Sequence, residues 1–231
     1  MPAKRYYARV DGRKVSVPSV TTILKFVGDK GGLNHWYYEQ GREAMRLELE
    51  EDHEPITTVW NMPKTAATIG TIVHAMIEAD VHGVEFRRDF YDASLMEPAD
   101  MAFGGWRRWK AARKFDVIAS ELSLVSQVGR YGGTQDLTMV DGERTLLDLK
   151  TGAGIYPEHL LQLAAYAGLW HENRPDEPLD ALAILRISKT DGSYHWHSWP
   201  IGSPTVAAAA RGFAAARTIY DVLAKELKGV G

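Results

Sequence analysis

Cysteine is missing from all 231 residues. Its absence removes disulfides, thiolate zinc sites, cysteine-ligated iron–sulfur clusters and cysteine nucleophiles together. Any metal must therefore be held by oxygen or imidazole. Long apolar runs are missing too. None approaches the roughly 18 residues a membrane span needs, and the opening MPAKRYYARV lacks the apolar stretch of a signal peptide. The expected location is the cytoplasm, with no membrane partner. A large excess of one charge is also absent. The formal net charge of -3 neither advertises nor excludes nucleic acid, because a local patch is invisible to a sum. There is no low-complexity tract or repeat, and a composition 45% hydrophobic and 25% charged argues against disorder. The length suits one sizeable domain with a real core.

What is present begins with RYYARVDGRKVSV, residues 5 to 17, which predicts a β-hairpin turning at Asp11 and Gly12. Ser19 is placed to cap a short helix in VTTILKFV, with Val20, Ile23, Leu24 and Val27 at helical spacing. A longer helix is expected from about Asn34 to Glu50, opening on Trp36, Tyr37 and Tyr38. Three adjacent aromatics cannot all face one core, so they either cover the rim of a helical lobe or offer a stacking platform for unpaired bases. KTAATIGTIVHAMIEADVHG predicts a helix with an apolar stripe of Ile69, Ile72, Val73, Met76 and Ile77. His74 flanks that stripe. Alone, a histidine so placed is more often a packed or hydrogen-bonded structural residue than a ligand, although Gly70, one turn earlier, would let a backbone or ligand come close. Residues 97 to 115 predict a helix that carries Arg107, Arg108, Lys110, Arg113 and Lys114. Its charge run is either a solvated face or a phosphate-contacting one, with Trp106 and Trp109 able to pack on sugar or base.

From Asp116 onward the period becomes that of strands. In VIASELSLVSQV, Ile118, Leu122 and Leu124 fall on one side, and Glu121 and Ser123 on the other. TQDLTMV and RTLLDLKT follow. Leu137, Met139, Leu147 and Leu149 form one apolar set, and Asp136, Asp148 and Lys150 occupy the opposite faces of their strands. The two acids meet only if the connecting loop is odd in length or a strand is bulged. A two-residue turn at Asp141 and Gly142 would separate them. The expectation is a three-residue loop of Val140, Asp141 and Gly142, with Gly142 left-handed. Two carboxylates on adjacent strands are best tolerated around a divalent cation, and the oxygen-rich set suits Mg²⁺ or Mn²⁺. Lys150, on the same face, could orient a bound water or an attacked phosphate. The helix predicted at about Pro157 to Glu172 places His159, Gln162 and Tyr166 along one side. Two further strands, LDALAILRIS and SYHWHSW, and a long alanine-rich helix from about Ser203 to Lys228 complete the chain.

In order, the motifs IGTIVHA, GGTQD, LLDLKTG and LLQLAAY resemble those of PD-(D/E)XK nucleases of the RecB-like and phage-type exonuclease branch, over roughly residues 66 to 190. PSVTTIL and the aromatic helix are similar to the N-terminal part of phage-type members and of mitochondrial genome maintenance exonucleases. The resemblance implies an α/β restriction-endonuclease-like core, a central mixed sheet flanked by helices. It implies a single nuclease domain over 1–231, with an N-terminal hairpin and helical portion (1–115) bearing His74 and a catalytic core (116–231).

It further implies His74, Asp136, Asp148 and the Leu149 carbonyl as ligands of Mg²⁺ or Mn²⁺, and Lys150 as the catalytic lysine. Gln162 and Tyr166 would be accessory residues that position DNA, and Glu121 matches a recurrent acidic position of unassigned role. Trp36, Tyr37, Arg107, Arg108 and Lys110 are the candidate DNA contacts. The implied activity is hydrolysis of DNA phosphodiesters, on single strands or duplex ends, in recombination, repair or processing in a bacterial or phage-infected cell. A structure-specific or restriction-like endonuclease and a non-catalytic DNA-binding scaffold are the alternatives. The cysteine-ligated cluster of some branches is excluded here.

Overall fold

The computed structural model describes residues 4–25 and 62–226. The aromatic helix expected at 34–50, with Trp36, Tyr37 and Tyr38, lies outside them. Asp11 and Gly12 take left-handed φ angles of 48° and 75°. They join β1 (Tyr6–Val10) to β2 (Arg13–Val17) in the expected hairpin, with Val10 opposite Arg13. Ser19 caps α1 (Val20–Leu24), accepting from the Thr22 N–H at 3.0 Å.

The apolar stripe of the next segment forms α2 (Met62–His82). Ile69, Ile72, Val73, Met76 and Ile77 are all buried. Helix α3 (Ala93–Ala111) starts earlier than the charge pattern suggests, because Asp92 caps it through the Ser94 N–H, and it ends before Arg113 and Lys114. The paired glycines do not interrupt it. A Cβ at Gly105 would collide with the Gly192 carbonyl oxygen and with Ile187, so Gly105 permits a close helix–sheet approach. Trp106 and Trp109 are 0% and 1% exposed, and Trp109 stacks on Trp196 with ring centroids 5.5 Å apart. This corrects the expectation that they contact sugar or base: they are core residues.

The remaining strands form one sheet in the order β3 (Asp116–Ser126), β4 (Tyr131–Val140), β5 (Arg144–Lys150), β6 (Ala181–Ile187), β7 (Tyr194–Pro200). Neighbours are antiparallel except β5 and β6, which run parallel. Their crossover is α4 (Pro157–Asn173), the sort of connection a parallel pair requires. α5 (Pro204–Asp221), capped by Ser203, follows β7. One sheet face packs Leu137, Met139, Leu147 and Leu149 against α2 and α3. The other packs Leu146, Leu182 and Ile184 against α1, α4 and α5. The result is a mixed α/β sheet with helices on both faces, the fold class expected, and it has two cores divided by the sheet.

Two local predictions need correction. The β3–β4 register shifts between Val117 and Ala119, so Ile118 is bulged. It is 37% exposed and does not join Leu122 and Leu124. The β4–β5 loop has the expected odd length but sits one residue later. Val140 pairs with Arg144, leaving Asp141, Gly142 and Glu143 as the loop, with Gly142 at φ 94°. That register gives Val140 to β4 and Glu143 to the loop, and it sets Asp136 and Asp148 at opposed positions.

Candidate functional site

Leu137 pairs with Leu147, the last pair of the β4–β5 ladder, so the next residues along, Asp136 and Asp148, stand opposite each other where the two strands part. On the other side of β4, Ser120 pairs with Leu137 and Leu122 with Gln135. Glu121 therefore lies abreast of Asp136. Glu121 has a φ of 47°, a conformation an acidic side chain rarely adopts and one that collects at functional sites. His74 arrives from α2, in the layer on the opposite face. Gly70, one turn back, lets that helix close on the chain just beyond β5, where a Cβ would lie 3.1 Å from Thr151 Oγ1.

These residues form a connected set. His74 Nδ1 is 3.6 Å from Asp136 Oδ1, and a ring N–H donates from Nε2 to the Leu149 carbonyl at 3.1 Å. Asp136 Oδ2 accepts the Leu149 N–H at 2.7 Å. Ligand atoms of His74, Glu121 and Asp136 all lie within 4.8 Å of one another, a spacing at which three donors can share one cation. Asp148 is 1% exposed and 2.5 Å from Lys150 Nζ. Neither of its oxygens has an aligned hydrogen-bond donor among the described residues. Lys150 Nζ also donates to Gln162 Oε1 at 3.1 Å, and Gln162 Nε2 donates to the Tyr166 hydroxyl at 3.0 Å.

Tyr166 reaches this chain because Gly133 leaves room for it: a Cβ there would lie 2.5 Å from Tyr166 Cε1. The neighbouring Gly132 makes the same allowance for Tyr6. His159, expected beside Gln162, instead closes the start of its own helix, its Nδ1 accepting from the Tyr156 N–H at 3.2 Å.

Burial and neighbouring charge set the ionisation of these groups. Burial pushes Glu121 up to about 7, reinforced by the Asp136 charge. Burial likewise raises Asp148 to about 6, although Lys150 pulls the other way. Asp136 is held low. Burial opposes its ionisation, but the His74 and Lys150 charges and the Leu149 N–H prevail. Burial would depress His74, yet the Asp136 carboxylate beside it outweighs this and raises it to about 9. The two carboxylates of Glu121 and Asp136 and the His74 imidazole form a donor set that can hold a divalent cation, with Asp148 beside them against Lys150.

The structure thus brings together His74, Asp136, Asp148, Leu149, Lys150, Gln162 and Tyr166. It places Glu121 with His74 and Asp136 in a candidate ligand cluster and sets the Asp148 carboxylate against Lys150. Glu121, an acidic position without an assigned role in the sequence, owes its place beside Asp136 to the Ile118 bulge, which no local sequence pattern announces. The basic run on α3 and just beyond its end stands elsewhere. Arg107, Lys110, Arg113 and Lys114 line an open cleft with Asp80 and Asp141, at the far end of β4 from Asp136. Lys110 pairs with Asp80 at 2.7 Å, and Arg108 donates to the Gly192 carbonyl at 2.7 Å.

No protein-family model and no curated protein matches the chain. Solved structures do resemble it at low identity. A candidate exonuclease from Eubacterium rectale shares 11% identity, covering 76% of this chain and 71% of its own, with a TM-score of 0.45. An alkaline exonuclease from Laribacter hongkongensis shares 12%, covering 69% and 85%, with a TM-score of 0.34. Its complex with dAMP gives 13%, 68% and 86%, and 0.33. Likenesses of this size leave the functional reading to rest on the side chains above.

Proposed function

We propose that this chain is a metal-dependent deoxyribonuclease of the PD-(D/E)XK type, RecB-like, acting as an exonuclease on DNA ends in bacterial or phage recombination, repair or processing. Residues 1–231 act as one nuclease domain, with His74 supplied by its N-terminal portion. The observation that carries this reading is the convergence of His74, Glu121, Asp136, Asp148 and Lys150, from α2 and three adjacent strands, at one end of the sheet.

His74, Glu121 and Asp136, with Asp148 and the Leu149 carbonyl beside them, would hold Mg²⁺ or Mn²⁺. When bound, such a cation supplies Lewis-acid polarisation of the phosphodiester and acidifies a coordinated water. The protein's own part is positional. Lys150, steadied by Asp148 and Gln162, presents a fixed ammonium that orients the attacked phosphate and offsets charge developing on its oxygens. Gln162 and Tyr166 form a partly buried hydrogen-bonded pair behind that ammonium and keep it from swinging away. Asp136 ties the strand end to His74, so the imidazole and the carboxylate cannot drift apart independently.

The test is cleavage of end-labelled single- and double-stranded DNA with Mg²⁺, Mn²⁺ or EDTA, beside closed circular DNA. Progressive loss of linear DNA with either metal, none in EDTA and sparing of the circle are expected. A folded protein inert toward every DNA with both metals would falsify the nuclease reading, and cutting of the circle would replace exonuclease with endonuclease.

A further inference from the structure

Lys150 pairs with Arg186 across β5 and β6, and Arg186 pairs with His195 across β6 and β7. The three are thus abreast on neighbouring strands, and paired residues project from the same sheet face. At about 4.8 Å per strand the row runs roughly 10 Å from the site to the sheet edge. It is open where the rows below it are closed. Leu182 and Ile184, on the same face of β6, are 0% exposed beneath α4 and α5. Arg186 is half-buried and His195 exposed. One step back along β7 on this face, His197 is exposed and lies against Trp199 with ring centroids 4.3 Å apart.

Arg186 is held in place: its Nε donates to the Gly152 carbonyl at 2.9 Å, which fixes the guanidinium beside the loop that follows Lys150. Of the nearby acids, Asp148 is committed to Lys150. Asp191, in the β6–β7 turn, accepts from the Ser193 N–H and hydroxyl.

We propose that Arg186 and His195 extend the site into a track for the phosphates of one DNA strand, running from Lys150 across β6 to the edge at β7. This rests on the nuclease reading above. A guanidinium whose Nε is already tethered loses little freedom on meeting a phosphate and can offer its remaining N–H groups to two oxygens. His195 adds a ring N–H donor one strand farther on. The track meets the phosphate backbone and carries no base recognition, so it favours continued travel along a strand over choice of sequence.

The test is equilibrium binding of a short fluorescein-labelled single-stranded DNA of mixed sequence in EDTA, over a series of NaCl concentrations, for wild type, Arg186→Gln, Arg186→Lys and His195→Gln. Arg186→Gln is expected to bind about tenfold more weakly at low salt, with the slope of log affinity against log salt smaller by about 0.7, the contribution of one phosphate contact on a single strand. Arg186→Lys keeps the slope, and His195→Gln lowers affinity by less. Wild-type affinity and slope in Arg186→Gln would overturn the track. So would an Arg186→Lys protein as impaired as Arg186→Gln with the slope unchanged in both, since that marks a merely structural tether to Gly152. A wild type that binds the oligonucleotide but never cuts it with Mg²⁺ or Mn²⁺ overturns the nuclease reading and not the track. Cleavage by a wild type whose binding is indifferent to Arg186 does the reverse.

Discussion

Asp136 faces two ways: one carboxylate oxygen accepts the Leu149 N–H at 2.7 Å, and the other lies 3.6 Å from His74 Nδ1. The same side chain therefore closes the end of the β4–β5 ladder and anchors the proposed metal centre. Substitution separates the duties. Asp136→Asn keeps an oxygen for Leu149 but gives up the charge, so it should fold normally and lose at least about 100-fold in metal-dependent cleavage. Asp136→Ala also strands a backbone donor and should lose a further ~1–3 kcal/mol of stability relative to Asp136→Asn. Urea unfolding beside a cleavage assay reads both; equal stabilities would remove the structural half of the claim.

Asp148 and Lys150 form a close, almost fully enclosed ion pair. Removing only the lysine leaves a buried carboxylate unpaired, so Lys150→Met should cost about 3–5 kcal/mol, whereas the Asp148→Asn, Lys150→Met double variant should recover much of it. Both should be inactive, as should Asp148→Ala. A double-mutant cycle in stability that came out additive would mean the pair is not coupled as described.

Much of this centre was legible in the chain because parity is unforgiving. Apolar Leu137, Met139, Leu147 and Leu149 had to share a face, which forced an odd loop before Asp136 could meet Asp148; only its placement, at Asp141 to Glu143, was off by one residue. The Gln162 and Tyr166 spacing on α4 was read the same way. What could not be read depends on contacts between distant segments. Trp106 and Trp109 share a helix with Arg107, Arg108 and Lys110, and which of its faces meets Trp196 is decided by β7, not by the helix. Glu121 owes its place to a bulge and a left-handed φ, and local propensity favours neither.

Those tryptophans make the corrected reading testable. With Trp109 1% exposed and packed on Trp106, Phe115 and Trp196, Trp109→Ala should destabilise by ~3–5 kcal/mol. Any fall in DNA affinity should track the unfolded fraction. A stable Trp109→Ala protein with weakened binding would restore it as a contact residue.

Gly133 predicts a coupled effect. Because a Cβ there would sit 2.5 Å from Tyr166 Cε1, Gly133→Ala should cost about 1–3 kcal/mol through overpacking. It should also lower activity by displacing Tyr166 from Gln162 and so loosening Lys150. Adding Tyr166→Leu should restore stability without restoring activity, since the hydroxyl that receives the Gln162 N–H is gone. Recovery of both would show that Tyr166 acts as packing alone.

The last expectation concerns pH, and its sign follows from which state binds protons. His74, raised to about 9 from 6.5 by Asp136 despite burial, keeps its proton in the folded protein where the unfolded chain has lost it. Its stabilising pairing with Asp136 is fully present below about pH 6.5 and disappears as pH rises through 9. Glu121, raised to about 7 by burial and then by Asp136, adds the same slope up to that point, because its ionised form is disfavoured only in the fold. In EDTA, the melting temperature should therefore fall between pH 7 and pH 9. A divalent cation reverses this, because imidazole and carboxylates bind it only after releasing their protons. Mn²⁺ should thus raise the melting temperature far more at pH 9 than at pH 6, and His74→Ala should flatten both trends. Thermal unfolding across that range, with and without Mn²⁺, decides it: a melting temperature in EDTA that rises toward pH 9 would mean that His74 does not hold its proton on Asp136 in the fold.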